Sequence, residues 1–141
     1  MIEHLHDHIV SEIQQSARTD TVFVVTAVVF NLVELGINWG VAEAPYNEPE
    51  PVSDTVILFL LIGITIVING LAIRGLAAGR TRLLALLKGL LAIYKDSNIG
   101  QYYDPAVLRS YKSRYNLFMG IVSSVGIAAI AVPLLEWTLG N

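Results

Sequence analysis

The chain has 141 residues, 54% of them hydrophobic and 15% charged, with a net charge of −3 at pH 7. That charged share lies well below the roughly one quarter usual in soluble domains, and the weak negative balance gives no reason to expect nucleic acid as a partner. With no cysteine present, disulfides, thiolate metal sites and cysteine nucleophiles are excluded.

Residues 1–16 read as a short amphipathic helix. Ile2, Leu5, Ile9 and Ile13 recur at helical spacing, and Glu3, Asp7, Ser11 and Gln14 take the other side. Such a helix suits a membrane surface. Its acidic face disfavours anionic head groups and favours docking on the protein's own basic segment. His4 and His8 share a face, which Glu12 extends. Neutral imidazoles at that spacing can chelate zinc, copper or nickel, so these three are a candidate metal site. The competing readings are an ordinary polar face and a protonation-sensitive cluster that includes His6.

Residues 20–40 form the first expected span. The run from Thr21 to Trp39 is long enough to cross a bilayer. Glu3, Asp7, Glu12 and Asp20 precede it against a single Arg18, the wrong charge for a signal-peptide n-region, so it reads as a retained anchor. Glu34 is the one ionisable residue at depth in any of the three apolar runs. Placing a carboxyl group there costs roughly 2–3 kcal/mol even on lenient scales. Asn31, Glu34 and Asn38 fall on one face, with Ala27 continuing it. The functional reading is a cation pathway in which carboxylate and amide oxygens replace part of an ion's hydration shell. In a symmetric oligomer, each copy adds one carboxylate to a ring. The bland reading makes the amides interhelical glue, with Glu34 protonated or paired.

Residues 41–54 are an acidic loop spaced by Pro45, Pro49 and Pro51, expected to be extended and to concentrate cations. Ser53 or Asp54 is its natural N-cap for the next helix. The second span, 55–78, contains Asn69, either an interhelical hydrogen bond or a further pathway group, and Arg74, which can snorkel. The segment 80–116 reads as helical: Leu83, Leu86, Leu87, Leu90, Leu91 and Tyr94 make a broad apolar face. It either continues the second span past Gly75 and Gly79 or breaks there. Ser97-Asn98-Ile99-Gly100 reads as a turn, and Asp104-Pro105 as an N-cap followed by proline at the first helical position. No breaker follows before Pro133, so the third span, 117–138, is expected to begin as a cytoplasmic helix and form a hairpin with the second. Glu136, beside Trp137, is a solvated edge residue or an outer cation ligand.

Small residues mark close-packing faces: Gly36 with Gly40, Gly75 with Gly79, and Gly120, Ser124 and Ala128 along the third helix. Arg74, Arg80, Arg82, Lys88, Lys95, Arg109, Lys112 and Arg114 all fall in the stretch from Arg74 to Asn116, and no Lys or Arg lies in the acidic loop. By the positive-inside rule the basic connection is cytoplasmic, the N-terminus inside and the C-terminus outside.

No P-loop, HExxH or GxSxG is present, so no enzyme activity is expected. The layout of an N-terminal amphipathic helix plus three spans is similar in topology to the bacterial diacylglycerol kinase family. The acidic phosphoryl-transfer motifs of that family have no counterpart here. The expectation is a single-domain, all-α integral membrane protein with three transmembrane helices, a homo-oligomer in a prokaryotic inner membrane. Its expected function is a small cation channel or transporter subunit, with no cofactor beyond a bound cation. The alternative is a non-conducting scaffold or accessory subunit of a larger membrane complex.

Overall fold

The computed structural model describes residues 2–42, 52–98, 100, 104 and 106–139. It is all-helical: α1 (Ile2–Ala42), α2 (Val52–Asp96) and α3 (Ala106–Leu139). They contain 41, 45 and 34 residues, against the about 20 apolar residues that a spanning helix needs. All three are long and apolar enough to cross a membrane. The acidic loop from Glu43 to Pro51, and the side chains of Ser53 and Asp54, lie outside the described residues. The backbone of α2 is already helical at Val52, ahead of the expected cap.

The N-terminal segment and the first span are one unbroken helix, not two elements. Thr19 and Thr21, at the expected junction, donate their hydroxyls to the carbonyls of Gln15 (3.0 Å) and Ala17 (2.9 Å). Their polar groups are satisfied one turn back along the same helix, leaving nothing to cap a break. α2 likewise runs on through Gly75 and Gly79. It ends where Asn98 adopts φ 59°, the left-handed conformation that asparagine tolerates at a helix terminus. Gly100 follows, where an added Cβ would lie 3.2 Å from the Lys95 backbone. At the start of α3 the Asp104 carboxylate accepts from the Ala106 amide at 2.8 Å, as an N-cap does. Pro133 sits inside α3.

Buried positions recur at alternating steps of three and four along each helix. On α2 they are Ile62, Thr65, Asn69, Ala72 and Leu76, then Leu83, Leu87 and Leu90. On α3 they are Tyr115, Val122, Gly126, Ala129 and Pro133. This is the heptad seam of helices packed side by side. The chain divides into two compact units, one from Met1–Phe23 and Arg74–Met119, the other from Val24–Ile73 and Gly120–Asn141.

In the first unit Ile9, Leu76, Leu83, Leu87, Leu90 and Tyr115 are buried. Glu3, Asp7, Arg82, Lys88, Lys95, Arg109 and Lys112 are exposed. α1 meets α2 through a hydrogen bond between the His6 ring and the Tyr94 hydroxyl at 2.9 Å. The acidic face of α1 makes no ion pair with Lys or Arg among the described residues; the pair present is His6 with Asp7. The second unit buries polar side chains beside apolar ones. Val33, Val67, Leu71 and Ile127 are 57–66% exposed. Asn31, Glu34, Asn38, Thr65 and Asn69 are inside. Apolar surface of that extent is stable against hydrocarbon rather than water, so the protein is an integral membrane protein.

Candidate functional site

The interior of the second unit is a ladder of polar side chains between α1 and α2. Its lowest rung is a closed amide pair. Asn31 Nδ2 donates to Asn69 Oδ1 at 2.9 Å, and Asn69 Nδ2 donates back to Asn31 Oδ1 at 2.8 Å. The second N–H of each amide turns to its own helix: Asn31 to the Ala27 carbonyl at 2.8 Å, Asn69 to the Thr65 carbonyl at 2.9 Å. All four donors are therefore spent. Gly126 on α3 admits this pair; a Cβ there would stand 2.8 Å from the Asn69 amide carbon and oxygen.

One turn up α1 is Glu34, 2% exposed. The Thr65 hydroxyl donates to Glu34 Oε2 and also lies 2.9 Å from the Leu61 carbonyl. Thr65 has one proton for two acceptors. Among the described residues the other carboxyl oxygen, Oε1, is buried without a hydrogen-bond partner, and so is Nδ2 of Asn38 one further turn up. An acceptor and a donor, both unmet, thus stand on one face of α1 a helical turn apart. Leaving buried polar groups unpaired costs about 1–3 kcal/mol each, more for a charged one.

The structure thus brings Asn31, Glu34, Asn38 and Asn69 together. It leaves Glu136 exposed, outside that ladder. A ring of Glu34 carboxylates around an axis between copies needs the side chain on the outer face of its protomer; it points inward instead. His4 and His8 are exposed, and among the described residues no group of three or more His, Cys, Asp or Glu side chains is placed to hold a metal. His4 and Glu12 are separated by about 12 Å along the axis, whereas two donor atoms on one ion lie within about 4 Å of each other.

Of the small residues, Gly75 lies 4.0 Å from Phe23 by its Cβ direction, and Gly79 faces Asp20. A Cβ added at Gly36 or Gly120 would meet nothing within 4 Å among the described residues, and Ser124 and Ala128 are exposed. The seam of α3 runs through Gly126 instead. Gly40 lies where side-chain surroundings are not described.

Sequence reasoning missed Thr65, Asp20, Tyr115 and Gly126. The signal for Thr65 was its position one turn before Asn69 on the heptad seam. In the first unit Asp20, 5% exposed, accepts from the Tyr115 hydroxyl and presses on Gly79, where a Cβ would come within 2.5 Å of its Oδ1. Burial, and then the Asp20 carboxylate, push the Tyr115 phenol up to about 12. Tyr115 stands ahead of the apolar run that opens at Leu117, and its hydroxyl is the donor. Arg114 lies over the rings of Tyr111, Phe118 and Tyr115 at 5.1, 5.8 and 5.9 Å, a cation–π arrangement. No family model matches this sequence, and no curated protein or solved structure shows significant similarity to the chain.

Proposed function

We propose that the protein is a small cation channel or transporter subunit whose ion-handling group is Glu34, held inside each protomer. One observation carries this reading: a carboxyl group buried in an apolar-coated unit with one oxygen left without a partner. A purely structural acid at this depth would be expected to have both oxygens hydrogen-bonded. In this reading the second unit lies in the bilayer of a prokaryotic inner membrane. The basic connection and N-terminus face the cytoplasm, by the positive-inside rule. The protein assembles as a homo-oligomer, with Gly36, Gly120, Ser124 and Ala128 available on outer faces for contact between copies.

The test is flux. Purified protein in liposomes should pass cations, and Glu34→Gln, which keeps the shape and removes the charge, should abolish flux or change its selectivity. Unaltered flux in that variant removes Glu34 from the role.

The closed Asn31–Asn69 pair favours a second reading, a scaffold or accessory subunit. Its donors are all engaged within the protein, as in a register-fixing clamp. A scaffold would form the same stable particle and pass no ion.

A further inference from the structure

We infer that the ion handled at Glu34 is the proton, delivered through water held between Glu34 Oε1 and the Asn38 amide; this rests on the transport reading above. The sign of the unmet groups selects the ion. A sodium or potassium site needs several oxygens converging on one point. Here the Asn31 and Asn69 amide oxygens are turned to each other. The Thr65 hydroxyl is a donor toward Glu34. The unmet group nearest along the face is the Asn38 amide nitrogen, whose hydrogens carry partial positive charge and repel a metal cation. A water molecule answers both unmet groups at once, accepting from Asn38 Nδ2 and donating to Glu34 Oε1. Buried waters typically satisfy polar atoms left in this way.

The chemistry balances without another reactant. A hydronium in the water beyond gives a proton to the bound water, which in the same step passes one of its own to Oε1, so no cation rests beside the Asn38 N–H. One O–H bond of the hydronium breaks, one forms on the carboxylate, and neutral acid and water remain. Release is the reverse step. Among the described residues of this unit the other ionisable side chain is Glu136, which is exposed. α2 presents Ile62, Thr65 and Asn69 at its buried positions, and α3 presents Val122, Gly126 and Ala129. The amide pair below is closed, so the route to the carboxyl runs by way of Asn38.

The experiment uses the full chain in liposomes carrying a pH-sensitive dye, with sodium and potassium fluxes measured in parallel. Proton flux should appear, independent of which alkali cation is present. It should be lost in Glu34→Gln and reduced in Asn38→Leu, which cannot hold the water. Infrared difference spectra between acid and alkaline buffer should contain a carboxyl band that Glu34→Gln removes, while helicity and particle size stay unchanged. That readout does not require flux. Sodium or potassium flux without proton flux would overturn the proton assignment and leave the transport reading standing. Absence of all three fluxes would end both. Proton flux that survives in Glu34→Gln, or a spectrum that the substitution leaves unaltered, would overturn the assignment of the proton to this carboxyl.

Discussion

The two units share three helices and one packing rule, yet they fill it differently. In the first, leucines point in and most charges point out, although Asp20 is buried. In the second, asparagines, a threonine and a glutamate point in beside alanine, isoleucine and valine, while other valines, leucines and isoleucines point out. Heptad spacing places the seam in both and does not specify what fills it. In the proposed placement, with the first unit in water and the second in the bilayer, the filling follows from the solvent. Water drives apolar side chains inward and tolerates charge at the surface. Hydrocarbon offers no such drive, so helices there are joined by hydrogen bonds and close contact. The Asn31–Asn69 clamp and the approach of Gly126 to it are the second unit's counterpart of Leu83 and Leu87 in the first.

That contrast can be broken from either side. The largest effect is expected from Leu83→Ala. This fully buried side chain belongs to the leucine-filled core of the first unit, and its truncation should cost about 2–5 kcal/mol, read as a drop in denaturation midpoint in detergent. Next is Val67→Asp, which puts a charge on the apolar outside of the second unit, where Val67 is 59% exposed. An expense of about 2.5–3.5 kcal/mol should show as poor membrane insertion, measured by the protein's release in alkaline carbonate. Arg82→Asp, on the exposed face of the first unit, should stay within about 0.5 kcal/mol. Equal insertion of the two variants would erase the distinction between the units.

The smallest effect concerns Tyr115. Its phenol is raised from 10.0 to about 12, so between those pH values the folded state holds a proton that the unfolded state has lost. The contribution is therefore whole below pH 10 and declines as pH rises toward 12. Ultraviolet titration of the tyrosines should include a late component that Tyr115→Phe removes.

Much of this was legible in the amino-acid sequence. The apolar runs, the lone acid Glu34, its two asparagine neighbours on one face and the Asp104 cap are local features, set by residue type and by 3.6 residues per turn. The continuity of α1 was less legible, because the mostly polar stretch 14–20 parts the amphipathic segment from the apolar run, and the join is seen as helical only when the Thr19 and Thr21 hydroxyls are found bonded one turn back. Which face of α3 packs within the protomer was not legible either: Gly120, Ser124 and Ala128 have close-packing spacing but are exposed, and the internal seam runs through Gly126, because spacing is the same on every face of a helix.

Composition along a single helix is enough to show that three helices can cross a membrane and that one carries a carboxyl group at depth. It takes the packing of one helix on another to turn Glu34 into its own protomer, to spend one donor of Asn31 on Asn69, and to bring Thr65 to the carboxyl. Those facts depend on how helices are rotated against one another. Rotation is fixed by contacts between residues far apart in the chain, such as Asn69 against Gly126, which no single helix encodes.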